Sequence, residues 1–169
     1  MQLSLQTILR LRKKRSSRRY YWRVATRFLE VQYGSIQYME MLKLRERELR
    51  MPIGLSFTTC DLETEGAQHH FGILNTDRQL CACVLALIDG NEERCQLRQM
   101  VVEPSYQGMG VGRLLYEKVE SWCRGLGVHQ IQLNARLSAK DFYGKLGFSE
   151  CGIEFNHVTL PHIKMTKVL

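Results

Sequence analysis

Leu29, Val31 and Tyr33 alternate with Glu30 and Gln32, a period of two that predicts a first strand ending near Gly34. A helix is expected next, with Ser35 as N-cap and Ile36, Met39, Leu42 and Leu49 on one face, closed by Pro52. Between Ile53 and Gln68 the periodicity fades and Asp61, Glu63 and Glu65 gather, which predicts an irregular segment or short helix, read here as a substrate-side loop. Apolar runs from His70 to Leu74 and Leu80 to Ile88 flank the turn signal Asn75-Thr76-Asp77-Arg78. Asp89-Gly90 then precedes a third run from Cys95 to Glu103, so three antiparallel strands are predicted.

Pro104 interrupts the pattern, a glycine-rich loop follows, and Val111, Leu115, Val119, Trp122 and Leu126 recur at helical spacing. Cys123 and Trp122 on that helix read as core. Gly125 and Gly127 mark its end, Ile131 and Leu133 alternate as a further strand, and Ser138 is placed to cap a short helix stopping near Gly147. Two strands close the chain. With no internal repeat or linker after the first residues, the expectation is a single α+β domain over residues 24–169.

The glycine-rich loop carries the strongest chemical signal. Glycines at 108, 110 and 112 between a strand and a helix allow a sharp turn that aims several backbone N–H groups at one anion. The first N–H groups of the helix lack internal partners, so a diphosphate can accept from them, with Arg113 adding a charge. A plain tight turn is the structural alternative. Arg113 stands where a dinucleotide fingerprint needs its third glycine, and no Gly-Lys-Ser/Thr follows, so other phosphate motifs fit less well.

Gln107-x-x-Gly110-x-Gly112 resembles the R/Q-x-x-G-x-G/A signature of the GNAT family of N-acetyltransferases. Asp141 through Phe148 is similar to that family's F-Y-x-x-L-G-F segment. Leu44 to Gly54 and Leu160 to Met165 further resemble a bacterial branch of uncharacterised GNAT proteins. The resemblance covers about Arg27 to Lys167 and implies a mostly antiparallel, twisted sheet of about seven strands flanked by helices.

The same resemblance implies acetyl-CoA as acyl donor and a small-molecule or peptide amine as acceptor. Gln107, Gly108, Met109, Gly110, Val111, Gly112 and Arg113 would hold the pyrophosphate, and the backbone of Met100 and Val102 the pantetheine arm. Asn134 and Tyr143 would lie near the sulfur and Phe142 would also touch the cofactor, with Tyr143 as the acid that protonates the departing thiolate. An attacking amine with a free pKa of about 10.4 must lose a proton first. Glu65, Glu63, Glu103, His157 and a water relay are the candidates for that step, Glu65 ranked first. His157 stands where the related branch commonly has an acid. His162 reads as structural or substrate-side. A CoA-binding or interaction protein that has lost turnover is the alternative to an enzyme.

Charge changes the picture only at one end. Eight basic residues and no acid lie within residues 1–23; without them the chain has 16 basic against 17 acidic residues, so the net charge of +7 belongs to that segment. A solvated basic arm is the first reading. Contact with nucleic acid or an anionic membrane is the weaker one, because aromatic residues are confined to Tyr20, Tyr21 and Trp22. No apolar run reaches the roughly 20 residues of a membrane span. Six cysteines without a Cys-x-x-Cys pair read as reduced cytoplasmic thiols rather than a disulfide framework or metal site. Oligomeric state stays open, a homodimer included.

Overall fold

The computed structural model describes residues 26–90 and 93–169; the basic arm expected over residues 1–23 lies outside them. Its strands are β1 (Arg27–Glu30), β2 (His69–Leu74), β3 (Leu80–Ile88), β4 (Arg94–Val102), β5 (Gln130–Arg136), β6 (Ser149–Glu150), β7 (Phe155–His157) and β8 (Leu160–Val168). They form one sheet in the order β1-β2-β3-β4-β5-β8-β6, with β7 also paired to β8. All pairings are antiparallel except β4 with β5, which a helix connects. The expected seven strands become eight because the segment after Phe148 forms two short pieces on β8 instead of one.

The helices are α1 (Ile36–Arg45), α2 (Thr59–Leu62), α3 (Val111–Gly125) and α4 (Lys140–Gly144). Ser35 caps α1 as expected, its hydroxyl accepting from the Tyr38 N–H at 3.2 Å. The expected apolar face of α1 is not the buried one. Ile36 and Met39 are exposed, whereas Tyr38, Met41, Leu44 and Arg45 are buried. Tyr38 and Arg45 tolerate burial because Glu65, far along the chain, satisfies both. A π-helical turn (Glu46–Arg50) and a 3-10 turn (Met51–Ile53) continue the segment until Gly54, left-handed at φ 72°, ends it. β1 starts and stops earlier than the alternation suggested, since it pairs with β2 only from Arg27 to Glu30. Ser138 does not cap α4, whose N-cap position is Ala139 without a side-chain hydrogen bond.

Two cores separate the faces of the sheet. On one, Val111, Leu115, Val119 and Cys123 of α3 pack against inward residues of the strands, including Ile131, Leu133 and Ile163. Trp122 is only half-buried, edge-on to Phe71 at 4.8 Å. On the other face α1 packs through Tyr38, Met41 and Leu44 against Cys83, Leu85 and Val101.

Two features of β4 prepare a site. Its parallel pairing with β5 runs only from Arg94 and Gln130 to Leu97 and Leu133, after which the strands part. Its pairing with β3 shifts between Cys83↔Val101 and Leu85↔Arg98, a bulge with Gln99 at φ 50°. Arg45 holds that bulge by donating from Nε to the Gln99 side chain at 2.7 Å. From the bulge onward, the β5-facing edge of β4 carries backbone groups without ladder partners.

Candidate active site

The loop between β4 and α3 bends where the glycines are. Gly108 and Gly110 have φ of 71° and 89°, and a Cβ at either would meet nothing within 4 Å. They are needed for conformation, and open space lies beside them. Gly112 differs: a Cβ there would come within 3.3 Å of Val102 Cγ2 and 3.4 Å of Phe142 Cζ, so its lack of a side chain lets α3 press onto β4 and α4. Gly110 is the N-cap of α3 with no side-chain cap, leaving first-turn N–H groups free for an anion. The Gln107 amide donates to the Val102 carbonyl at 2.9 Å, pinning the loop to the end of β4. Arg113 reaches the Lys145 carbonyl at 3.2 Å and so stands at the mouth of the loop tied to the end of α4. Val111 is buried in the core and Met109 half-buried against it.

Where β4 and β5 part, a cleft of about 530 Å³ opens, lined from both sides of the sheet. Met100, Asn134 and Tyr143 line it toward the glycine loop. Arg50, Asp61, Arg98, Arg136, His157 and His162 line the opposite part. Arg136 and His162 are register partners across β5 and β8, and Phe155 pairs with His162 in turn. The His157 and His162 rings meet edge to face at 5.4 Å.

The titratable groups fall into distinct roles. Tyr143 is half-buried, its hydroxyl has no hydrogen-bond partner among the described residues, and burial pushes its pKa up to about 12. It is therefore a protonated donor at any working pH. Desolvation by the cleft walls, then His162, Arg50 and Arg98, lower the pKa of His157, which favours a neutral imidazole able to accept a proton. Hydrogen bonds from the Thr58 N–H and hydroxyl, with Arg50 and Arg98 nearby, hold Asp61 below its ordinary value. His162 Nδ1 lies 2.8 Å from the Leu160 carbonyl, which fixes the proton on that nitrogen.

Glu65, ranked first as a base from sequence, is not in the cleft. It is 1% exposed; both its oxygens accept from the Arg45 guanidinium, one of them at 2.9 Å, and Tyr38 donates to it at 2.9 Å. Its oxygens are committed to a buried arginine and a tyrosine, out of reach of a substrate in the cleft. Glu103 is ion-paired to Arg47 and Glu63 is exposed beyond α2, and neither lines the cleft.

A profile of the acetyltransferase (GNAT) family matches residues 37–148, from the start of α1 through the glycine loop to the end of the Phe142–Phe148 segment. The chain belongs to the GNAT family. A Bacillus subtilis (strain 168) acetyltransferase is 29% identical over 72 residues, 43% of this chain; the match spans about half (49%) of that protein's length. The crystal structure of an N-acetyltransferase from Lactobacillus plantarum superposes with a TM-score of 0.75 at 17% identity, over 86% of this chain and 99% of that one. An aminoglycoside 6'-N-acetyltransferase complexed with coenzyme A superposes with a TM-score of 0.68 at 16% identity, over 84% and 96%. At such identities the superpositions speak for the GNAT fold alone.

Coenzyme A fits the residues present. Left-handed glycines beside open space, an uncapped helix start and the unpaired edge of β4 suit a diphosphate followed by an extended amide-bearing arm. Asp61, expected on a substrate-side loop, lines the cleft, whereas Arg50, Arg98 and Arg136, which line it too, were not singled out by sequence reasoning. Arg50, Arg98 and Arg136 stand on three different elements, so no local spacing links them. No helix among the described residues is long and apolar enough to cross a membrane.

Proposed function

We propose that this GNAT chain is an N-acyltransferase that moves an acetyl group from acetyl-CoA to an amine by direct attack in a ternary complex. The observation that carries the reading is the parting of β4 and β5 beside the glycine loop, which opens one cleft to both faces of the sheet. The donor enters from the α3 and α4 face and the acceptor from the α1 face. Bound acetyl-CoA supplies the activated acyl thioester. Gly108, Met109, Gly110 and the first turn of α3 hold its phosphates, and the edge of β4 that has left β5, at Met100 and Val102, takes the pantetheine arm, with the Val102 carbonyl shared with the Gln107 amide.

His157 is the base we assign: it lines the cleft and its lowered pKa leaves it free to take the proton of an incoming ammonium. Backbone N–H groups on the unpaired edge of β4 are donors for charge developing on the acyl oxygen. Tyr143 lines the cleft and would donate to the leaving sulfur. Because its pKa is raised to about 12, a hydrogen bond to sulfur is favoured over complete surrender of the proton. Holding both substrates in one cleft supplies much of the acceleration. All six cysteines are free thiols, which fits a reducing, cytoplasmic compartment.

The test is release of free thiol from acetyl-CoA in the presence of small amines, with the acetylated amine identified by mass spectrometry. Amine-dependent thiol release matched by acetylated product is expected. Tight acetyl-CoA binding without transfer to any amine would leave a CoA-binding protein instead.

A further inference from the structure

The acceptor half of the cleft is not electrically balanced. Three guanidinium groups, Arg50, Arg98 and Arg136, line it against one carboxylate, Asp61. Asp61 is already engaged: Arg50 donates to its Oδ1 at 3.1 Å, and Thr58 donates to its Oδ2 from both N–H and hydroxyl. Arg136 gives one N–H group to the Leu49 carbonyl at 2.8 Å. Arg98 makes no hydrogen bond or ion pair with any described residue.

We propose that the acceptor is a small amine bearing a carboxylate, and that Arg98, with Arg136 and Arg50 around it, recognises that carboxylate. This rests on the acyltransferase reading of the same cleft. A guanidinium presents a planar fork of donors that matches a carboxylate in two parallel hydrogen bonds, and Arg98 has that fork unused. The surroundings add to the effect. Arg50 and Arg98 add to the burial and the His162 ring that lower His157, and Arg136 is itself lowered by burial and then by Arg50, so the arginines already repel one another in the absence of an anion. An anion placed among them removes that repulsion. A polyamine would instead add like charges to a cleft whose walls focus the field. Nearby guanidinium groups also disfavour the ammonium form of the acceptor, so they favour the neutral amine that attack requires. The cleft's 530 Å³, shared with the acyl end of the donor, has room for a small amine.

Glutarate and cadaverine, a dianion and a dication of equal carbon number, test this without any turnover. Each is titrated into the protein with and without saturating CoA, following the ring resonances of His157 and His162. Glutarate is expected to saturate in both conditions, and its affinity to fall by about 10-fold or more in Arg98→Gln, the weight of a charge-assisted hydrogen bond. Arg98→Glu should abolish it. Cadaverine binding as tightly as glutarate, or glutarate binding unchanged in a folded Arg98→Gln protein, overturns the proposal. In acetyl transfer, 5-aminovalerate should exceed cadaverine in kcat/KM, with the order reversed in Arg98→Glu. Faster turnover of cadaverine by the wild type would overturn the carboxylate site and leave acyl transfer standing. Arg98-dependent glutarate binding without transfer to any amine would do the opposite.

Discussion

Arg45 and Arg98 lie on the same side of the sheet, one on α1 and one on β4, and differ in everything but chemistry. Arg45 is fully buried, matched by both oxygens of Glu65, and spends its remaining Nε on Gln99 at the β4 bulge. Arg98 is half-buried at the edge of a cleft, with two further arginines nearby and no partner of its own. A closed ion pair holds a strand in shape; an unmatched guanidinium keeps its fork of donors open to an anion. The difference separates scaffold from site among residues that look alike in sequence.

The largest effect is expected at Glu65. Glu65→Ala leaves a buried guanidinium uncompensated and should cost about 3–5 kcal/mol of stability in urea unfolding. Removing the pair together, as Arg45→Met with Glu65→Leu, should recover much of that loss. A stable Glu65→Ala protein that had lost only turnover would return Glu65 to the role of base.

His157→Ala should lower kcat/KM for acetyl transfer by about 100-fold, the usual weight of a general base. The pH profile sharpens this. The proton-accepting form of His157 is the neutral ring, so wild-type kcat/KM should rise as pH increases through a pKa below the ordinary histidine value and then level off. The variant should lack that rising limb. A smaller effect is expected from Tyr143→Phe, about 10-fold in kcat with little change in KM for acetyl-CoA, because the ring is kept and only the donor to sulfur is lost. Smallest of all is the stability change in Arg98→Gln, within about 0.5 kcal/mol in the same urea assay, since no described partner is left behind.

What sequence could and could not say follows the range of the interactions. The glycine loop is local: Gly108 and Gly110 supply left-handed backbone at adjacent turns, and the α3 pattern of Val111, Leu115 and Val119 sits within one helix, so spacing alone revealed both. The buried face of α1 was misread because Tyr38 and Arg45 are made buriable by Glu65, 20 residues or more away. The proposed acceptor cluster is assembled from residues 50, 61, 98, 136 and 157, on five different segments, and no periodicity connects them. The closing strands were miscounted because β6 and β7 hold two and three residues, too few to alternate legibly.

Everything proposed for the donor side depends on the glycine loop holding the phosphates of CoA, and calorimetric titration of acetyl-CoA into the wild type and a Gly110→Glu variant tests that most directly. The variant places a carboxylate and a strained left-handed backbone in the open space beside α3. Micromolar binding by the wild type, lost in a variant with unchanged circular dichroism, is the predicted result. Equal binding by both proteins, or none by a folded wild type, would contradict the account.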